Sequence, residues 1–522
     1  MPKDKKKYGQ YFTKTDIAEF MVSLITHDSN ASILEPSCGE GVFLDKLEKK
    51  NFNNVCAYEI DSNLAQEYQN VKYESFISSP VDEKFDVIIG NPPYIRWKNL
   101  EAELKNELEN NSLWKKYFNS LCDYLFIFIL KSIEQLNDNG ELIFICSEYW
   151  LNTTNSKSLR DYMCENGYFS AIYHFKEAPL FENVTASVII FKFIKNSKIK
   201  SKPLIDLLMY NGQGMPELNQ LLSHECFTSY KIPQFVKNGR WMLAEKSTQL
   251  KLENFKNACY IRNGLFDKKV VRIGDCCDIG NGMVSGLDVA FRLDCSDDLN
   301  DNERKCVIKV LKAKNLEPYF YNSVSSYIFM LNANAQHIDS EEQFRKIYPH
   351  FYKKLIKYKE DLGKRYSYNR CIPYWDFVFP RNQKLFEKKV DKIFIPCKER
   401  ISKKKYFRFC LAQKGVYPLQ DVTGIVKKDL CRESTEYILA YLNSKIVFEW
   451  LCYNGIVKGE IVEFSEAPIA NIPFRQIDWN SPSEIQCHDE ITSAVKKYIE
   501  TKQPSFLLLI NAKFKELIPD EN

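Results

Sequence analysis

The segment Asn91-Pro92-Pro93-Tyr94 carries the densest chemistry in this chain. Two successive prolines fix φ and hold the residues before them extended. They also leave carbonyls without neighbouring amide donors, so those oxygens can point at a ligand. The Asn91 side-chain oxygen and the Pro92 carbonyl could accept both hydrogens of one amino group. An amine whose lone pair is delocalised into a ring is a poor nucleophile. Two fixed acceptors favour its sp³ state, which frees that lone pair to attack, by dipole stabilisation and positioning together. No general base is needed before such a transfer. Tyr94 offers a ring face to a flat substrate. The plainer reading of the same residues is a turn of prolines after a strand.

A second constellation lies upstream. Leu34-Glu35-Pro36-Ser37-Cys38-Gly39-Glu40-Gly41 stands between a strand-like run and a helix-like one. Glycines there allow a tight turn and close approach of backbone to ligand. Glu59 ends the next strand, where an acid can accept hydrogen bonds from a ribose. The third glycine of a dinucleotide fingerprint is missing. Glu35 suits the positive end of a ligand and would repel a pyrophosphate, which favours S-adenosylmethionine over NAD. An ordinary strand–helix turn remains the alternative.

The elements that must position these residues read as alternating strands and helices through about residue 195, which argues for a mostly parallel sheet covered on both faces. Strands are expected at Ala31–Leu34, Val55–Glu59, Phe85–Ile89, Leu142–Cys146, Ala171–Phe175 and Ser187–Phe193. Helices are expected over Asp16–Ile25 and Val42–Lys49. A further helix carries Leu121, Tyr124, Leu125, Phe128, Ile129, Ile133 and Leu136 on one face and stops at the turn Asn137-Asp138-Asn139-Gly140. The basic stretch Lys195–Pro203 opens residues 196–245, which read as the tail of the first domain plus a connection. Residues 246–522 mix helix and strand without βαβ alternation. The expected division is a catalytic domain over 1–240 and a second domain over 241–522.

Composition narrows the class. With 522 residues, 45% hydrophobic and 27% charged, the chain has the totals of a multidomain globular protein. The net charge of +4 excludes a wholesale polycation. Its 17 Cys are scattered without a C-x-x-C, so reduced thiols are expected, and neither Cys nor the 6 His show metal spacing. No secretory signal or membrane-length apolar run is found, so a cytoplasmic protein is expected. Charge is concentrated locally. Between Lys384 and Arg408 there are ten Lys or Arg, including Lys403, Lys404 and Lys405, against three acids. A second run holds Lys353, Lys354, Lys357, Lys359, Lys364, Arg365 and Arg370. Such patches suit phosphate contacts, and singly they also suit a solvated face.

The order of these motifs resembles that of the gamma-class, TaqI-like adenine-N6 DNA methyltransferases, and the likeness extends over nearly the whole chain. The resemblance implies a Rossmann-like α/β methyltransferase sheet followed by a mixed α+β DNA-recognition domain, with S-adenosylmethionine as methyl donor and double-stranded DNA as substrate. Carried over residue by residue, Tyr11, Thr13, Glu35, Pro36, Cys38, Gly39 and Gly41 surround the methionine part. Glu59 and Ile60 hold the ribose and adenine edge, and Phe76 packs on the cofactor adenine. Ser75 stands where the family has an acid, with Glu74 one step back. Asn91, Pro92, Pro93 and Tyr94 grip an adenine flipped out of the duplex, and Phe181 supplies the ring on its far side. Gly280–Phe291 and the closing run Tyr441-Leu442-Asn443-Ser444, Gly455, Lys458-Gly459 and Ile472-Pro473 resemble the family's specificity domain. Lys403, Lys404, Lys405, Arg408, Lys364 and Arg365 are the expected DNA contacts. The chain is expected to act as a monomer, with a cognate restriction endonuclease as candidate partner or in an orphan epigenetic role. Enzymes of the same fold that methylate RNA adenine, release-factor glutamine or cytosine N4, and a non-catalytic DNA-binding subunit, are the alternatives.

Overall fold

The computed structural model describes residues 11–80, 82–181, 186–212, 214–239, 241–260, 270–294, 298–401 and 404–518. Two units divide the chain, one of Met1–Gln249 with Lys458–Glu460 and one of Leu250–Val457 with Ile461–Asn522. In the first unit α1 (Thr15–Ser23) leads to β1 (Ile33–Glu35), α2 (Val42–Lys49), β2 (Val55–Tyr58), β3 (Val71–Lys72) and β4 (Phe85–Gly90). Next come α3 (Ala102–Asn110), α4 (Ser112–Tyr117), α5 (Tyr124–Gln135), β5 (Leu136–Ser147), α6 (Lys157–Asn166), β6 (Gly167–His174) and β7 (Val188–Lys195). The unit continues through β8 (Ile205–Tyr210), α7 (Leu218–Ser223) and β9 (Phe227–Ile232).

The nine strands form one sheet in the order β3-β2-β1-β4-β5-β7-β6-β8-β9. Pairs from β3 through β5 are parallel, and β7 runs antiparallel between β5 and β6. Alternation along the central strands explains their burial on both faces. Val87, Ile89, Ile143, Ile145 and Ile190 join a core with Phe20, Met21, Phe43 and Leu47 of α1 and α2. Ile88, Leu142, Phe144, Ile189 and Phe191 join the core on the other face, with Leu125, Ile129 and Leu159 of α5 and α6. Strand order reverses between β1 and β4. In an open parallel sheet, the crevice beyond the strand ends at such a reversal is where a ligand fits.

Three expectations are corrected. α5 is buried all round, Lys131 and Gln135 included, and Leu121 lies before it at 72% exposure. The turn at Asn137–Gly140 is absorbed into β5 as an irregularity: Phe85 pairs with Leu136 but Val87 with Glu141, and Asn139 takes a left-handed φ of 67°. The sheet also continues past the last expected strand, into the residues expected as the tail of this domain. β8 pairs parallel with β6, and β9 antiparallel with β8.

The second unit contains two four-stranded sheets. One joins Cys277–Asn281, Val422–Lys427, Lys392–Pro396 and Cys410–Ala412, and the other Arg292–Leu293, Ser325–Ile328, Val307–Leu311 and Val416–Pro418. Helices Thr435–Leu442 and Pro482–Thr501 pack their apolar residues into a core with Ile393, Ile395 and Ile425 of the first of these sheets. Among the described residues no helix is long and apolar enough to cross a membrane, and no cluster of three or more His, Cys, Asp or Glu could hold a metal ion.

Candidate active site

β1 ends at Glu35, and the chain then turns into α2 through Gly39 at φ 56° and Gly41 at φ 82°. A Cβ on Gly41 would lie 2.3 Å from the Tyr68 ring, so conformation and space both require glycine. The turn is tied to the end of β2. Cys38 donates its amide to the Tyr58 carbonyl at 2.9 Å, and Gly39 donates to Glu59 Oε2 at 2.8 Å. Glu59 also accepts from the Asp61 amide at 2.9 Å. These bonds orient a carboxylate that is only 6% exposed.

Glu35 is 1% exposed, and its Oε2 has no hydrogen-bond partner. Burial first, then the charge of Glu59, pushes its carboxyl well above the usual carboxylate range. Glu59 is also raised, chiefly by burial, against the pull of its backbone donors. Two buried acids at one turn are suited to a cationic ligand, whose charge would favour their ionised forms. The Cys38 thiol is pushed up by burial and by both carboxylates, so it is packing rather than a nucleophile.

The turn opens on a cleft of about 650 Å³. Pro36, Gly39, Glu59, Ile60, Phe76, Asn91 and Pro93 line it, together with Tyr11. A smaller adjoining pocket shares Tyr11 and Asn91 and adds Thr13, Glu35 and Cys38. Sequence reasoning did not point to Leu104 of α3 or to Tyr124 and Phe128 of α5, which form the apolar wall beside Phe76. Glu74 and Ser75 both line the cleft.

The turn after Phe76 is held from below. Lys131 of α5, 1% exposed, donates to the carbonyls of Phe76 at 2.5 Å, Ile77 at 3.0 Å and Ser79 at 2.6 Å, and to Ser79 Oγ at 3.1 Å. Asn111 adds a bond to the Ile77 carbonyl at 3.1 Å, and Gln135 one to the Pro80 carbonyl at 3.1 Å. Burial lowers the Lys131 ammonium to about 8. The sequence signal for it was a single lysine inside the apolar run Tyr124–Ile133.

Asn91 follows β4 directly, and its amide is fixed on both sides. Nδ2 donates to the Tyr11 carbonyl at 2.6 Å and to Thr13 Oγ1 at 3.1 Å. A backbone carbonyl only accepts, so the amide nitrogen must face Tyr11 and Oδ1 must face away. There Oδ1 accepts from the Tyr94 hydroxyl, which also lies 2.8 Å from the Ile145 carbonyl of β5. Tyr94 is stacked on Tyr11, with ring centroids 5.8 Å apart and planes at 21°. Phe181, 6% exposed, lies 6.1 Å from the Tyr11 ring. Tyr11, expected on the cofactor side, therefore touches both rings expected to sandwich a substrate base.

The expected DNA contacts are placed unevenly. Lys403 lies outside the described residues. Lys405 is exposed, Lys404 pairs with the buried Glu399 at 3.2 Å, and Lys364 pairs with Glu360 at 2.6 Å on the surface. Arg408 and Arg365 are corrections to the charge-count reading. Arg408 binds Glu399 at 2.5 Å and the carbonyls of Ala313 and Leu316. Arg365 binds the carbonyls of Leu362, Ser285, Asp376 and Pro373. Their guanidinium donors are directed into the second unit, where they hold it together.

Residues 13–181 match the family described as Eco57I restriction-modification methylase. The chain is 45% identical over 526 residues to the type II methyltransferase M.HindII of Haemophilus influenzae, covering 99% of both chains. It is 43% identical over 525 residues to the type II methyltransferase M.HincII of Haemophilus influenzae, again covering 99% of both. A solved structure of the type IIL restriction-modification enzyme MmeI in complex with DNA covers 97% of this chain and 72% of its own, at TM-score 0.59 and 12% identity, a likeness of fold.

Proposed function

The chain belongs to the type II methyltransferases, and on that premise we propose that it methylates N6 of an adenine extruded from duplex DNA at a specific sequence, as the modification enzyme of a restriction-modification system. One observation carries this reading. Asn91 and Pro93 of the proline loop and the buried Glu59 line one cleft, and an adjoining pocket that shares Asn91 adds the buried Glu35, both beyond the ends of β1 and β4.

The residues present suit S-adenosylmethionine. Glu35, whose unpartnered oxygen faces no described donor, would meet the cationic methionine end beside Thr13 and the Cys38–Gly41 backbone. Glu59 would take the ribose hydroxyls, with Ile60 and Phe76 against the adenine. When bound, this donor supplies an electrophilic methyl on a sulfonium. Asn91 Oδ1 and the Pro92 carbonyl accept the two N6 hydrogens and draw the amine toward sp³, so that its lone pair points at the methyl. Tyr94 and Phe181 supply ring faces that offset part of the few kcal/mol lost when the base leaves its stack. The second unit, with its exposed basic residues, is the reader of sequence.

The test uses the purified chain, labelled S-adenosylmethionine and unmodified duplex DNA, with nucleoside analysis of the product. N6-methyladenine is expected in duplex. Asn91→Ala should abolish it while leaving binding of both ligands measurable. Label on RNA or protein alone, or full activity in the variant, would overturn the proposal.

A further inference from the structure

The two most exposed Phe, Tyr or Trp rings among the described residues, Tyr366 at 71% and Tyr368 at 61%, stand two residues apart in the second unit. Large exposed rings are costly to leave in water, and a pair in contact is not a scattered accident. Their centroids are 4.7 Å apart, and Tyr368 lies 5.3 Å from Phe379. Arg370 and Arg381 both reach the Phe379 ring, at 4.9 Å and 5.3 Å. Both arginines are exposed, and neither has a carboxylate partner among the described residues. From Lys364 to Pro373 the segment has three basic residues and no acid.

The loop is also built to hold its shape. Arg365 clamps its base by bonding carbonyls on both flanks, Leu362 before it and Pro373 and Asp376 after, with Ser285 of the glycine-rich stretch below. Gly286, at φ 86°, makes room: a Cβ there would lie 2.4 Å from Arg365 Cδ. At the tip, Tyr368 and Asn369 take left-handed φ values of 53° and 59°. Ser367 closes the turn, its hydroxyl donating to the Arg370 carbonyl at 2.8 Å while Arg370 Nε donates to the Ser367 carbonyl at 3.1 Å. A left-handed tyrosine is an unfavourable choice for a mere connection.

We infer that the loop of Tyr366, Tyr368 and Arg370, together with Arg381, is a DNA-reading element, its rings packing on bases and its guanidinium groups meeting phosphates or guanine edges. Exposed rings beside two exposed arginines without carboxylate partners, Arg370 also donating to the Ser367 and Val378 carbonyls, fit a partner with flat apolar faces and dense negative charge, and nucleic acid has both. This rests on the reading of the chain as a duplex-DNA methyltransferase and names the residues through which its second unit engages that substrate.

The experiment measures affinity of the full chain for a duplex bearing the sequence it methylates and for a scrambled duplex, across salt concentrations. Arg381→Ala should weaken both complexes and reduce the log–log salt slope by about one. Tyr366→Ala with Tyr368→Ala should weaken the site-bearing complex about tenfold or more, leaving the slope and S-adenosylmethionine affinity unchanged. Photo-crosslinking of wild-type protein to a bromodeoxyuridine-substituted duplex should label the segment 366–381, a readout independent of variant folding. Variants within twofold of wild type, or crosslinks elsewhere only, overturn the inference while the proposed function stands. A wild-type chain that binds no duplex overturns both. Variants that bind duplex normally but lose a protein partner would make the loop a protein contact and refute its role at DNA.

Discussion

Lys131→Met isolates what a buried ammonium does beneath the cleft. Of its acceptors, the Phe76 carbonyl is also served by the Ser79 amide and hydroxyl, and the Ile77 carbonyl by Asn111. The Ser79 carbonyl relies on Lys131, so truncation orphans one buried acceptor, a loss of roughly 1–3 kcal/mol. Against this, burial lowers the lysine from 10.5 to about 8, an unfavourable contribution of roughly 3 kcal/mol while it is charged. Methionine removes that contribution, so the two effects nearly cancel and unfolding at pH 7 should shift little. The sign with pH is distinctive. Between the folded and unfolded values the unfolded chain holds the extra proton, so wild-type stability rises with pH relative to the variant, by about 2 kcal/mol between pH 7 and pH 10. Paired urea titrations read this difference, in which other titrating groups cancel. S-adenosylmethionine affinity should fall about tenfold in the variant, because the turn carrying Ser75 and Phe76 loosens. A stability difference that stays flat with pH would refute the assignment of a buried cation.

Because Glu35 is held above the usual carboxylate range, affinity for the cationic donor should rise as pH climbs through its folded value. Glu35→Gln should weaken binding and flatten that profile in equilibrium dialysis; a pH-dependent variant would sink the assignment. Folding alone has the opposite sign, since the native state prefers the protonated carboxyl and loses that preference as pH rises. Gly41→Ala forces a left-handed alanine against Tyr68 and should cost about 1–2 kcal/mol in thermal unfolding, together with donor affinity; an unchanged melting temperature would contradict it. Arg408→Ala should lower stability and leave the salt slope of DNA binding intact, whereas Lys405→Ala should reduce that slope by about one without a stability change. The reverse pattern would return Arg408 to the DNA surface.

The cleft was legible in sequence where its parts are local. A strand, a glycine turn and a helix in succession mark one wall, and a proline loop after a buried run marks another, because backbone restriction is written in residue type. Leu104, Tyr124 and Phe128 were not legible as lining residues. Ordinary core residues become a cleft wall only through packing across the sheet. Charge clusters misled for a related reason: counting basic residues cannot tell Lys405, which faces water, from Arg408, whose guanidinium is directed at internal carbonyls. β8 and β9 escaped notice because they follow a basic, breaker-containing stretch that resembles a linker. Asn137–Gly140 kept its turn chemistry, visible in the left-handed Asn139, but the sheet pairs across it.

The Tyr94 hydroxyl lies against two acceptors, Asn91 Oδ1 and the Ile145 carbonyl, yet a phenol has one proton to give. Asn91 cannot turn away from the phenol, because its amide nitrogen is anchored at Tyr11 and Thr13. The pocket thus satisfies its own acceptor, and a substrate amine reaches Asn91 Oδ1 only when the Tyr94 hydroxyl moves aside. Tyr94→Phe would take away the hydroxyl that occupies this acceptor and leave the Asn91 oxygen open.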